Sequence, residues 1–349
     1  MPTLMLNEGL YPTSDEEKLL HDSLRAWGDA ALAPHAEGWD AQGELPARVV
    51  RDLSALGLDL ITLREEQGGV GLGLLAALRV VEALAAYEPS LALKVGLTNG
   101  PAARCAPDGL EGGATWARGA LHITSRGATG ALLDTPWAES ARWALVPQGD
   151  RLYAVDLQGP GVRRAPHAGR LGLRCAEWAD VDLSDARVLA TPLSPRARLG
   201  AEAAADLAWA ALAVGLGARA TELGRRYAQE RVQFGRPIAE LQAIQWMLAD
   251  SLTELDAARL LSYAAAAALD GERAEEGARL AASARLLAAD AGHAACDRAL
   301  QIHGGYGYTR DYHVERAWRD VQRAFPPEGA AALARRAVEG GAGGEGARA

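Results

Sequence analysis

Tyr227-Ala-Gln-Glu-Arg-Val-Gln-Phe-Gly-Arg-Pro-Ile238, continued by Leu241-Gln-Ala-Ile-Gln245, divides two long Ala- and Leu-rich segments of a 349-residue chain. Residues 201–231 upstream and 238–270 downstream both carry apolar side chains at helical spacing. Gly235-Arg236-Pro237 cannot continue a helix, because glycine is conformationally loose and proline lacks an N–H and clashes with the preceding turn. The chain is therefore predicted to reverse here. A second stretch, Gln301-Ile-His-Gly-Gly-Tyr-Gly-Tyr-Thr-Arg-Asp311 with Val314-Glu-Arg-Ala-Trp-Arg-Asp320, stops a third helix over 273–303 at Gly304-Gly305. A fourth helix is expected after Pro326-Pro327. Helices of this length with short connections pack as an antiparallel bundle.

Working outward, residues 119–197 change character. Ala120-Leu-His-Ile-Thr124, Trp143-Ala-Leu-Val146, Leu152-Tyr-Ala-Val-Asp-Leu157 and Glu177-Trp-Ala-Asp-Val-Asp-Leu183 are short, partly alternating and separated by Gly, Pro and Asp, as strands are. Residues 1–118 read as helical again. Thr13-Ser14-Asp15-Glu16-Glu17 opens a helix over 13–33 with acids on the positive end of its dipole. Another helix runs from Pro46 to Leu56 and stops at Gly57, and a third covers 74–87. Gly68-Gly-Val-Gly-Leu-Gly73 lacks the Lys-Ser/Thr and the strand-turn-helix frame of a phosphate loop, so it reads as a structural turn. The expected order is a helical domain over 1–118, a small β domain over 119–197, a helical bundle over 198–340 and a Gly/Ala-rich disordered tail over 341–349.

The bulk properties narrow the function. A net charge of −9 argues against a general nucleic-acid binder. Cys105, Cys175 and Cys296 have neither zinc nor redox spacing, so buried small hydrophobes in a reducing compartment are expected and no metal site. The first 17 residues lack a signal peptide's basic start and apolar run. No apolar stretch reads as reaching the roughly 18 residues needed to span a bilayer. A cytoplasmic protein is expected.

The two C-terminal stretches resemble the bundle of the acyl-CoA dehydrogenases. Weaker segments agree in the same order: Gly57 to Leu72, Tyr87-Glu-Pro-Ser-Leu91, Leu171-Gly-Leu-Arg174 and Val181-Asp-Leu-Ser-Asp-Ala-Arg-Val188. The resemblance implies a mainly α fold of N-terminal helical domain, central β domain and C-terminal four-helix bundle. It also implies FAD, lying between the β domain and the bundle with its pyrophosphate and adenosine reaching the neighbouring subunit of a homodimer or homotetramer. It further implies an acyl-CoA substrate, a place in fatty acid metabolism and an electron-transfer flavoprotein as acceptor.

Carried onto this sequence, the resemblance places Arg231 on the flavin pyrophosphate, where a planar donor fork suits phosphate. Gln233 and Gln242 would add hydrogen bonds to the cofactor. Phe234, one of two phenylalanines, is either core or a neighbour of the adenine. Gln301 would serve the FAD of the adjacent subunit, and Gly304 and Gly305 would let backbone approach a phosphate as well as cap a helix. His303 reads as a helix-end residue and not a base. Glu328, followed by Gly329, falls where family members carry the base that removes the α-proton of the thioester while hydride leaves the β-carbon for the flavin. Such a base needs a dry pocket that raises its pKa. A glutamate after Pro326-Pro327 is also what a helix start favours.

Three departures stand out. The family's flavin-lining β-domain motifs have no clear match, and Ile123-Thr-Ser125 is the nearest remnant, making Thr124 a candidate cofactor contact with Trp116 and Trp137 nearby. The aromatic residue before the base is Pro327, and the Thr and Gln after Glu-Gly are Ala330 and Ala332. An arginine near the substrate aligns with Asp206, reversing a charge. These departures leave room for a catalytically silent partner subunit of an active homologue, or a flavin enzyme acting on an acyl carrier protein.

Overall fold

The computed structural model describes residues 11–105, 113–149, 151–192, 194–326 and 329–339. Three layers follow in chain order. The first contains α1 (Asp15–Trp27), α2 (Ala36–Gln42), α3 (Ala47–Ala55), α4 (Leu74–Ala85), α5 (Pro89–Leu97) and α6 (Ala103–Cys105). The capping box is complete: Glu17 N–H donates to Ser14 Oγ at 3.2 Å and Ser14 N–H to Glu17 Oε2 at 3.0 Å. Glu17 also accepts from Arg79 at 3.0 Å, tying α1 to α4. The 68–73 loop is spent on backbone pairing: Val70 N–H reaches Leu60 O at 3.0 Å and Leu72 N–H reaches Ile61 O at 2.9 Å.

The β domain contains β1 (Ala114–Trp116), β2 (Arg118–Ile123), β3 (Ala128–Thr135), β4 (Trp143–Gln148), β5 (Arg151–Asp156), β6 (Val162–Pro166), β7 (Ala179–Ala186) and β8 (Val188–Pro192). They form two sheets, β1-β4-β5-β8 and β2-β3-β7-β6, so the domain begins before residue 119. Ala144, Val146 and Val155 meet Leu132, Val181 and Leu183 in a core between the sheets. The other face of β4, Trp143 and Leu145, joins the large helical core. That two-sided burial is why β4 reads as a continuous apolar run.

The last layer holds α7 (Pro195–Glu230), the hairpin strands β9 (Val232–Gln233) and β10 (Arg236–Pro237), α8 (Gln242–Asp270), α9 (Ala274–His303), α10 (Val314–Val321) and α11 (Ala330–Glu339). Alanine-rich faces let α7 and α9 approach closely. A Cβ on Gly292 would lie 2.6 Å from Ala213 O, so that crossing requires glycine. By length and composition alone α7 is long and apolar enough to cross a membrane, against expectation. Its apolar window is 83% buried within the fold, and interior helices of large bundles pass the same test.

Two buried ionic knots fix the layers to each other. Arg316 of α10 donates to Glu88, the N-cap of α5, at 2.5 Å, and also faces Asp40 at 3.8 Å and Asp320 at 3.5 Å. Inside the bundle, Asp206 of α7 meets Arg285 of α9 at 2.7 Å and Arg336 of α11 at 2.8 Å. Cys175 and Cys296 are buried, and burial pushes both thiols up, which makes them inert.

Candidate functional site

The end of the bundle gathers most of the residues singled out in the sequence. Arg231 caps α7 with extended backbone, and Ile238 N–H donates to its carbonyl at 2.9 Å, closing the hairpin. The hairpin tip is Phe234-Gly235, both left-handed at φ 52° and 77°. Consecutive positive φ values are what a tight two-residue hairpin demands. Phe234 is 90% exposed, which removes the core reading for it. Gln233 and Gln242 are also exposed beside the tip.

Facing the hairpin, α9 ends at Gly304 with φ 60° and ψ −138°, a conformation only glycine adopts without strain. A Cβ on Gly304 or Gly305 would meet nothing within 4 Å, so the backbone there is open to an approaching group. Gln301 is exposed one turn earlier. The Arg231 guanidinium lies 5.8 Å from the Tyr306 ring centroid, which brings the two motifs together, and among the described residues it makes no ion pair. Beneath them His303 stacks on Tyr227 at 4.4 Å and its Nδ1 contacts Ala299 O at 2.8 Å. Burial keeps that imidazole below its ordinary pKa, so it serves as a neutral packing residue.

Thr124 does not join this group. It sits in the turn between β2 and β3, its hydroxyl donating to Gly127 O at 3.3 Å and accepting from Arg126 N–H at 3.1 Å. The eight residues of β3 carry the chain about 25 Å from that turn to the end that meets the bundle. Thr124 thus lies apart from the bundle-end residues. Glu328, Pro327 and the 341–349 tail lie outside the described residues. Asp206 is paired inside the bundle: its side chain and that of Arg285 are each 2% exposed and 2.7 Å apart. Glu202 is taken up by Arg198 at 2.9 Å.

The junction between β domain and bundle holds residues the sequence did not single out. Asp134, at the end of β3, accepts from both Arg323, which follows α10, and Arg170. The two guanidinium groups lie 4.3 and 4.7 Å from the Trp178 ring centroid. His167 contacts Asp180 at 3.1 Å beside them. Leu173 N–H donates to the buried carboxylate of Asp320 at 2.6 Å, and Arg319 donates to Leu171 O at 2.8 Å. Sheet and bundle are thus sewn together directly. No local pattern could announce a contact between residues 189 positions apart.

Comparison with known proteins matches residues 14–106 to the acyl-CoA dehydrogenase N-terminal domain and residues 205–342 to the acyl-CoA dehydrogenase C-terminal domain. The chain belongs to the acyl-CoA dehydrogenase family. Among curated relatives, the protein named "Probable acyl-CoA dehydrogenase YngJ" of Bacillus subtilis (strain 168) is 28% identical, over 93% of this chain and 97% of that one. The caffeyl-CoA reductase-Etf complex subunit CarC of Acetobacterium woodii is 32% identical, over 55% of this chain and 52% of that one. Among solved structures, a glutaryl-CoA dehydrogenase from Mycobacterium smegmatis in complex with FADH2 superposes with a TM-score of 0.81 at 18% identity, covering 98% of each chain. Members of this acyl-CoA dehydrogenase family are FAD-binding flavoproteins and acyl-CoA oxidoreductases.

The two halves of FAD fare differently against these residues. The bundle end suits a pyrophosphate: a guanidinium without an ion-pair partner among the described residues, exposed glutamine amides and an open glycine backbone. At the junction, where a ring would enter, side chains bridge sheet and bundle. A ring entering between sheet and bundle would have to break the Arg323–Asp134 bond and part Arg323 from Trp178.

Proposed function

We propose that this chain is a subunit of an FAD-dependent acyl-CoA oxidoreductase, lending its bundle end to a flavin whose ring is held by a partner of the same fold. The observation that carries this reading is the closed junction at Asp134 and Arg323, set against an intact bundle end. Arg231 supplies charge and directed donors to the pyrophosphate, Gln233, Gln242 and Gln301 add amide donors, and Gly304-Gly305 admit close backbone approach. Phe234 offers a flat face to the adenine. The same end leaves Val232, Phe234, Trp246, Tyr306 and Tyr308 exposed. Apolar surface of that kind supports burial against another subunit. The reaction served is α,β-oxidoreduction of an acyl thioester, with an electron-transfer flavoprotein exchanging electrons with the assembly.

A second reading places the base in this chain, with Glu328 taking the α-proton. Its support is positional: Glu328-Gly329 follows Arg319-Asp320 and immediately precedes α11, inside the stretch matched to the family's C-terminal domain. Glu328→Gln separates the two. In the assembly, the first reading expects normal bleaching of the flavin by acyl-CoA. The second expects none, and that result would overturn the first.

A further inference from the structure

A cavity of about 270 Å³ opens between the N-terminal helices and the bundle, lined by α7, by α10 and by the chain around α2 and the α4–α5 corner, without a β-domain residue. Its charged groups are matched almost completely. Asp29 accepts from Tyr87 Oη at 3.0 Å, and His313 meets Glu37 at 2.7 Å. Arg226 is held by Glu222 at 2.6 Å, and Arg316 by Glu88, Asp40 and Asp320. Arg219 is the exception: it lines the cavity half-buried, with no hydrogen bond or ion pair among the described residues. Burial first, and then the neighbouring Arg226, push its guanidinium below the usual arginine range, against the opposing pull of Tyr87, Glu222 and Glu37. A desolvated cation of this kind is costly unless a counter-charge meets it.

The remaining wall is apolar and small, with Ala33, Ala36, Ala85 and Leu216 facing the same space. Asp29 and Glu37 add negative charge beside it, which disfavours a doubly charged guest. We propose that this cavity binds a small aliphatic monocarboxylate, its carboxylate on Arg219 and its short hydrocarbon body against the alanine wall. A carboxylate matches the planar guanidinium fork, and the neighbouring acids select a monoanion over phosphate. The site is independent of the flavin-binding reading above.

The test uses the purified full chain, with any subunit that co-purifies, and butyrate followed by ligand-observed NMR titration. Saturable binding is expected, at least about tenfold weaker in Arg219→Gln, while Arg163→Gln on the exposed strand β6, away from the cavity, binds as the parent does. Butyramide, the neutral isostere, and inorganic phosphate are expected to bind more weakly than butyrate. The butyramide and phosphate comparisons on the unmodified chain keep the idea testable even where Arg219→Gln folds poorly. Absence of saturable butyrate binding, binding by Arg219→Gln within about twofold of the parent, butyramide binding as tight as butyrate, or phosphate binding tighter than butyrate would each overturn the proposal.

Discussion

Arg323 donates to Asp134 across the seam between bundle and sheet, and the same guanidinium lies 4.3 Å from the Trp178 ring centroid. The seam it bridges is the one on which the proposed function rests. The contact is partly exposed, at 25% and 32% for the two side chains, so its worth is modest. Arg323→Ala is expected to cost about 1 kcal/mol, seen as a lower urea midpoint at unchanged slope, and the difference should shrink in high salt.

The Asp206–Arg285 pair is a different case, because both side chains are buried. Arg285→Ala leaves the buried Asp206 carboxylate with Arg336 as its remaining charged partner and is expected to cost about 3 kcal/mol, the low end for breaking a buried pair. Asp206→Leu combined with Arg285→Met should recover most of that loss, since replacing both charges by apolar volume removes the desolvation penalty. Arg336 is 31% exposed and can turn to solvent. Equilibrium denaturation of the single and double variants checks this, and a double variant no better than Arg285→Ala would contradict it.

Asp320 links stability to pH. Burial raises its carboxyl from 3.8 to about 7, against the opposing pull of Arg316, with Asp40 adding to the rise. The folded state therefore holds a proton that the unfolded chain has already released. Its contribution is fully present below pH 3.8 and is lost as pH rises through about 7. Asp320→Asn is expected to flatten the fall in stability between those values, measured by denaturation across the pH series. An unchanged slope in the variant would remove Asp320 as its source.

Arg231 and Gly304 separate binding from folding. Arg231→Ala is expected to lower the flavin content of the assembly while leaving the melting curve of the chain nearly unchanged, because the side chain is exposed. Gly304→Ala meets no neighbour within 4 Å yet must hold φ 60° and ψ −138°, so a loss of about 1–3 kcal/mol from backbone strain alone is expected. Thermal melts and flavin-to-protein ratios read both.

The order of layers was legible because its signals are local: the Gly-Arg-Pro break at 235–237, the Gly304-Gly305 stop, and the capping box at Ser14 and Glu17. Helix periods and caps need no knowledge of distant contacts. β3 carries no clean alternation, since Gly130 interrupts it and both its edges are paired, to β2 and β7. Helical spacing places this helix over 201–231, but α7 begins earlier, at Pro195 with Ser194 as its cap, and its apolar character is easily missed because alanine supplies it. The bundle-end residues Arg231, Gln233, Phe234, Gln242, Gln301, Gly304 and Gly305 could be named because they fall in two compact motifs. The pairs that close the junction and fill the bundle, Asp134 with Arg323 and Asp206 with Arg285 and Arg336, join separate elements. Nothing in the flanking sequence of either partner points to the other.

The flavin content of the chain expressed by itself tests the central claim most directly. Absorbance of the purified protein is predicted to lack the flavin bands, and stoichiometric FAD is predicted to return only when a full-length homologue with an open junction is co-expressed. Stoichiometric FAD on the chain alone, bleached by an acyl-CoA, would contradict the account.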